Sequence, residues 1–324
     1  MTAEPLLDIS DLHVAFAVHR KRLVALDGVS LQLQPHETVG VVGESGSGKS
    51  TLAKAVARLV KAERGTIRFA GEDLLGLKGR SLAQARRQVQ LVYQDPYASL
   101  NPNLPIGKAI AEPALVHGLV KRSDAYEFAE TLLAKVGLSA ALATRRPRRL
   151  SGGQRQRVAI ARALATQPTV LMADEAVSAL DVSVQAQMLN LFRDIQTELG
   201  LSMLFISHQL GVVRHVADRV AVLYLGRIVE TGPTAAVFER PAHPYTAGLL
   251  RAQPRRHARA QDSAPVLAGE IPSPLAIPGG CRFRTRCPLA APICAEIDPP
   301  RIDLGDGRSA WCHFAERQVE EASR

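Results

Sequence analysis

The run GESGSGKST at Gly43–Thr51 constrains this chain more than any other segment. Glycines at 43, 46 and 48 let backbone N–H groups turn into one concavity, the form that surrounds the β- and γ-phosphates of a nucleotide. Lys49 adds a point charge there, and Ser50 offers a hydroxyl to Mg²⁺. The flanks agree with this reading. Glu37–Val42 (ETVGVV) is a short, nearly continuous apolar run that suits a buried parallel strand. Ser50–Val60 (STLAKAVARLV) predicts a helix with Leu52, Val56 and Leu59 on one face. Strand, loop and helix put the phosphates at a helix N-terminus, where free N–H groups and the helix dipole favour an anion. The candidate nucleotide-binding residues are therefore Gly43, Glu44, Ser45, Gly46, Ser47, Gly48, Lys49, Ser50 and Thr51.

An acidic partner lies downstream. Val170–Ala173 (VLMA) reads as an apolar strand that ends in Asp174 and Glu175. Asp174 suits Mg²⁺, held directly or through water. Glu175 is the candidate for polarising an attacking water. A strand ending in two solvated acids fits the same residues taken alone, and the upstream phosphate loop is what favours the catalytic reading.

The order of these and four further motifs resembles the ATP-binding subunits of ABC transporters, from about Leu7 to Gly232. In that resemblance Gln94, in LVYQDP, is the glutamine that touches Mg²⁺ and responds to the membrane subunit. Leu150–Gln154 (LSGGQ) is the signature: Ser151, Gly152, Gly153 and Gln154 would reach the γ-phosphate of ATP held by a second subunit. Ser178–Asp181 (SALD) crosses to the opposite site through Asp181. His208, in FISHQL, contacts the γ-phosphate. The family stacks an aromatic residue on adenine, and Phe16 is the nearest candidate, although a phenylalanine ending an alternating strand equally fits a core position. Tyr97 is assigned instead to the membrane-subunit interface. The chain departs from the family at Ala176, where proline is usual. Proline would stiffen that turn, but its loss removes no chemical group.

The implied fold is α/β, a P-loop NTPase core with a helical subdomain and a C-terminal proline- and cysteine-rich extension. Alternating strands and helices argue for a mainly parallel sheet covered on both faces. The nucleotide-binding domain is expected over 1–237, with its helical subdomain over about 94–154, and the extension over 238–324. Tyr126–Val136 is the clearest helix of the subdomain, with Phe128, Leu132 and Val136 at helical spacing. Gly152 and Gly153 are expected to open a helix running to Ala165, its dipole aimed at the other subunit's ATP. The stretch Gln94–Ile106 is rich in Pro and Asn and reads as a loop.

All four cysteines of the chain, Cys281, Cys287, Cys294 and Cys312, fall in the extension. Such clustering in a cytoplasmic protein argues for metal rather than disulfides. The spacing lacks the C-x₂-C pair of a zinc ribbon, four thiolates suit an iron–sulfur cluster, and four small core residues fit the same pattern. HPYTAGLL, GEIPSP, CRFRTRCP and the later Cys-His resemble the C-terminal region of ATPase subunits from oligopeptide, dipeptide and nickel importers. That resemblance implies a [4Fe–4S] cluster on the four cysteines. Arg282, Arg284 and Arg286 would offset its negative charge, or simply occupy a solvated strand face.

Across 324 residues with 46% hydrophobic content, a sizeable core is available, and no apolar run approaches the ~20 residues of a membrane span. The N-terminus lacks the pattern of a signal peptide. The net charge of +9 is densest at Arg145–Arg149 and Pro254–Arg259. Without interleaved aromatics this suits anionic lipid headgroups rather than nucleic acid.

The expected protein is an ATP-hydrolysing subunit, using ATP and Mg²⁺, that powers import of di- or oligopeptides at the cytoplasmic face of the inner membrane. Its expected partners are a paralogous or identical ATPase, two membrane permeases and, indirectly, a periplasmic or lipid-anchored binding protein. A soluble ATPase of the same fold acting on nucleic acid or ribosomes is the alternative. Such proteins usually carry two nucleotide domains or a long coiled coil, and neither is present in this sequence. A non-catalytic regulatory subunit would lack Glu175, His208 or an intact signature.

Overall fold

The computed structural model describes residues 4–19, 21–252, 267 and 269–322; the basic run at 254–259 lies outside them. Strands β1 (Leu7–Val18), β2 (Lys21–Leu33), β4 (Arg64–Phe69) and β5 (Glu72–Asp73) form an antiparallel sheet in the order β2-β1-β4-β5. The larger sheet contains β3 (Thr38–Val42), β6 (Val89–Val92), β7 (Val170–Asp174), β8 (Ser202–Ser207), β9 (Arg219–Tyr224), β10 (Arg227–Pro233), β11 (Arg301–Gly305) and β12 (Arg308–Trp311), in the order β11-β12-β10-β9-β3-β8-β7-β6. Its β9, β3, β8, β7 and β6 run parallel, and β10, β12 and β11 continue it antiparallel.

The centre of the large sheet is dry on both sides. Every residue of β3, β7 and β8 is buried, as continuous Val/Leu/Ile runs in parallel sheets require. Alternate residues still face different cores. Val39, Val41, Met172, Leu204 and Ile206 pack toward the antiparallel sheet and the helix Lys49–Val56. Leu171, Ala173, Met203 and Phe205 pack on the opposite side, in the core shared with the helices Ile106–Val116, Ala125–Lys135 and Gly152–Leu164.

Two expectations need correction here. A mainly parallel sheet describes only part of the molecule, because β1, β2, β4 and β5 build a separate antiparallel layer while β3, between β2 and β4 in sequence, joins the large sheet. The helix after the phosphate loop ends at Val56 rather than Val60. Arg58 takes a positive φ of 57°, its carbonyl accepts from Arg86 Nη2 at 2.8 Å, and Leu59 is left 51% exposed.

The proline-rich extension is packed onto the main sheet. Strand β12 pairs with β10, so the extension lengthens the main sheet. Tyr224, Tyr245 and Phe283 are fully buried and stack with ring centroids 4.7–5.4 Å apart. Aromatic area supplies the core where aliphatic repeats are missing.

Beneath these rings, buried Glu230 accepts from the amides of Ala242 (2.7 Å) and His243 (3.0 Å). His243 in turn accepts the Tyr245 amide on Nδ1 at 3.0 Å, capping the helix Pro244–Arg251, and burial depresses its pKa to about 3. Burial pushes Glu230 up to about 7 from its ordinary 4.5. The folded state thus holds that proton more tightly than the unfolded chain does. Glu230 therefore contributes stability fully below pH 4.5, and this contribution is lost as pH rises through 7. E230Q cannot titrate there. Its stability relative to wild type should climb across this window, by on the order of 3 kcal/mol, and stay level on either side. Urea denaturation of both proteins from pH 4 to 8 measures this, and a difference that does not change with pH would refute the burial argument.

Candidate functional site

Chain geometry at the phosphate loop demands glycine. Gly48 has φ +106°, and a Cβ there would stand 2.4 Å from the Ala25 carbonyl oxygen. Gly43 has φ +156°, and its Cβ would meet the Leu223 carbonyl oxygen at 2.1 Å. Bare backbone is the only way to bring the loop so close to its neighbours. Lys49 opens the following helix and is itself buried, 4% exposed. Its ammonium donates to the carbonyls of Gly43 (2.8 Å) and Glu44 (2.9 Å). Burial lowers its pKa, opposed by Glu175, Asp174 and Glu44.

Strand β7 delivers the acids. Asp174 ends it, buried, and accepts from Ser50 Oγ at 2.9 Å. Desolvation raises the Asp174 pKa despite that bond. Glu175 leaves the strand with a positive φ of 49°. The turn is fixed by the Glu175 N–H, which donates to the Ile206 carbonyl (3.0 Å), and by Ser178, whose amide (3.1 Å) and hydroxyl (2.9 Å) both donate to the Glu175 carbonyl. Such strain persists where the surroundings over-determine it, and here Ser178 does the stiffening at a turn that has Ala176 instead of proline. The Glu175 side chain is the meeting point: Lys49 Nζ lies 4.0 Å from Oε1, while Gln94 Nε2 and His208 Nδ1 each lie 3.2 Å from Oε2.

A cavity of about 360 Å³ opens beside this cluster, lined by Ser45, Gly46, Gly48, Lys49, Ser50, Thr51, Gln94 and Glu175, with Phe16, Leu23, Val24 and Ala25 from the antiparallel layer. Phe16 is 38% exposed and faces this cavity, so its place is not the core. Pro274, which lines the cavity from the extension, is the last residue of GEIPSP, a run the sequence marked as part of the resemblance but not as a site. Proline in an irregular segment carries no signal of its destination. A partly buried hydroxyl–carboxylate pair, a buried ammonium and a glycine-rich loop suit Mg²⁺ and a nucleotide phosphate chain.

The remaining motif residues lie outside this cavity. Ser151 caps the helix Gly152–Leu164 in a reciprocal capping box: its hydroxyl accepts the Gln154 amide at 3.3 Å, and Gln154 Oε1 accepts the Ser151 amide at 3.1 Å. Gly153 abuts Val184, since a Cβ there would lie 2.8 Å from its Cγ1. Asp181 caps the helix Val182–Leu199, accepting from the Val184 amide at 2.9 Å and Ser183 Oγ at 2.7 Å. The Val184 N–H holds its carboxyl below the usual range. Signature and Asp181 turn thus sit side by side on one surface. Tyr97 is exposed, with the Arg155 guanidinium 5.5 Å from its ring centre.

The four cysteines are unpaired thiols. Burial raises Cys281, and raises Cys287 to about 11 and Cys312 to about 12, with the neighbouring thiols adding to the effect. Amides of Leu289 and Phe314 donate to the sulfurs of Cys287 and Cys312, both at 3.4 Å. Among the described residues, no group of three or more His, Cys, Asp or Glu is arranged to hold a metal ion. The iron–sulfur expectation therefore gains no support from this geometry. The arginines between the cysteines also differ from expectation. Arg282 pairs with Asp27, Arg284 Nε donates to the Gly279 carbonyl at 2.9 Å, and Arg286 forks onto Glu44. Two of the three are thus engaged by acids of the core rather than left to offset a cluster.

Comparison with known proteins agrees with this site. The family profile described as "ABC transporter" matches residues 26–178, and that described as "Oligopeptide/dipeptide transporter, C-terminal region" matches 229–294. A relative from Sinorhizobium fredii named "Probable peptide ABC transporter ATP-binding protein y4tS" is 51% identical over 89% of this chain and 82% of its own length. The oligopeptide transport ATP-binding protein OppF of Salmonella typhimurium is 47% identical over 91% of this chain and 92% of its own. The dimeric post-hydrolysis structure of the ATP-binding cassette MJ0796 with ADP and Pi matches at TM-score 0.65 and 27% identity, covering 70% of this chain and 98% of that one. The chain belongs to the ATP-binding subunits of ABC transporters, in the oligopeptide/dipeptide branch.

Proposed function

We propose that this chain hydrolyses ATP to drive peptide import through a membrane transporter. The observation that carries the reading is the convergence of Lys49, Gln94 and His208 on the Glu175 carboxylate, with Ser50 and Asp174 alongside. Gly43–Thr51 bind the phosphates, and Phe16 offers a ring to adenine. Mg²⁺, held by Ser50, Asp174 and Gln94, neutralises phosphate charge when bound. Glu175 orients and polarises the attacking water; Gln94 and His208 hold its carboxylate on Oε2 and report the state of the γ-phosphate.

Ser151, Gly152, Gly153, Gln154 and Asp181 lie outside their own chain's cavity, and the related MJ0796 cassette is dimeric. We assign them to the ATP of a second ATPase subunit, paralogous or identical. Peptide as cargo rests on the names of the relatives. Binding ATP then shifts the pair toward a closed state, and hydrolysis releases it. A groove of about 510 Å³ beside Leu59, Tyr93 and Val116, all exposed, suits a short helix of a permease. Among the described residues no helix is long and apolar enough to cross a membrane, so docking on two permeases at the cytoplasmic face of the inner membrane, with a periplasmic or lipid-anchored binding protein upstream, is the proposed location.

Glu175→Gln should keep ATP binding and slow turnover more than about 100-fold, the effect of raising the barrier by ~3 kcal/mol. Steady-state phosphate release together with nucleotide titration measures both. Near-normal turnover would remove Glu175 from the chemistry.

A [4Fe–4S] cluster on Cys281, Cys287, Cys294 and Cys312 is a separate proposal. It rests on the clustering of the four cysteines in the sequence of the extension and on the resemblance of that region to importer ATPases, not on the present arrangement of the thiols. Binding would have to expel thiol protons and tighten the present arrangement. Anaerobic protein should contain about four irons and matching sulfide per chain. One zinc without sulfide, or no metal at all, would overturn it.

A further inference from the structure

We infer that Arg286 of the C-terminal extension is a positioning residue for the phosphate loop, acting through Glu44. Its guanidinium donates to both carboxylate oxygens of Glu44, Nη1 to Oε2 at 2.6 Å and Nη2 to Oε1 at 3.0 Å. This is the bidentate fork that fixes an acid in orientation as well as distance. The Arg286 side chain is only 4% exposed, so solvent screens the pair little. Packing fixes the arginine as well: it lies over the rings of Tyr224 and Phe283 at 5.9 and 6.0 Å, and its amide donates to the Phe283 carbonyl at 2.9 Å.

Glu44 is also held through its backbone. Its amide donates to the hydroxyl of Tyr245, another extension residue, at 2.8 Å. The carbonyls of Gly43 and Glu44 are the two that accept the Lys49 ammonium. The extension therefore grips the stretch of loop that seats the phosphate-binding lysine. Gly43, the other residue whose carbonyl seats the ammonium, has no side chain to brace itself. Without the fork the two carbonyls drift, so Lys49 no longer stands ready for the phosphates. That is a loss of pre-organisation, which weakens binding more than it alters the chemical step.

The inference rests on the ATPase reading above. The test compares wild type, R286Q, E44Q and the double variant for ATPase activity at varied Mg·ATP and for binding of a fluorescent ATP analogue. Each single variant should raise the KM for ATP about tenfold, with kcat within about twofold, the effect of removing one charge-assisted hydrogen-bonded pair. The double variant should be no worse than either single one, because both remove the same interaction. R286K, which keeps charge without the fork, should recover only part of the loss. If R286Q fails to fold, E44Q alone still reports, since it leaves the extension intact. An unchanged KM in folded variants, with only a lower melting temperature, would reduce the pair to a structural tie and overturn the inference. Losses that multiply in the double variant would overturn it too. Wild type without ATPase activity would instead overturn the functional reading itself.

Discussion

A buried ammonium organises this molecule. Lys49 is almost wholly removed from water, and an unpaired charge in that position would be costly. Two loop carbonyls and the nearby Glu175 carboxylate offset its charge. That arrangement requires the loop to fold back on the start of its own helix. It also requires β7, two strands away from β3 across β8, to end at the same height. The parallel register of these strands meets that demand, and Asp174 and Glu175 arrive beside Ser50 and Lys49 as a result.

Much of this was legible from the order of motifs. The strand–loop–helix around Gly43–Thr51, the apolar run before Asp174 and the helices at 125–135 and 152–164 were all visible as local patterns, and they formed within a few residues of the expected bounds. What escaped is long-range. In the antiparallel layer β1 pairs with its sequence neighbour β2 and β4 with β5, but the pairing of β1 with β4, such as Leu7 with Phe69, is one that no short window reveals. Phe16 lies near the end of β1 and has no local feature separating a core ring from one facing the cavity. Arg286 and Glu44 are 242 positions apart, and only the fold brings them together.

The extension shows the same limit from the other side. Its four clustered cysteines suggested a segment organised around a metal centre. Three large rings, the buried Glu230 and the pairing of β12 with β10 already give it a core continuous with the main sheet. Its reach to the nucleotide cavity through Pro274, and to the loop through Arg286 and Tyr245, makes it part of the wall and bracing of the site. A cluster at the cysteines would add to that bracing rather than create it.

One chain holds only part of the proposed catalytic centre, because Ser151 and Asp181 cap helices on a surface outside the cavity that contains Glu175. The central claim is that a second ATPase subunit supplies these groups in trans. Mixed dimers in which a single subunit carries Ser151→Arg test this most directly, with hydrolysis at each site read separately by disabling the other with Glu175→Gln. The account predicts loss at the site built on the partner's phosphate loop, with the altered subunit's own Lys49 site spared. Loss confined to the altered subunit's own site would contradict it.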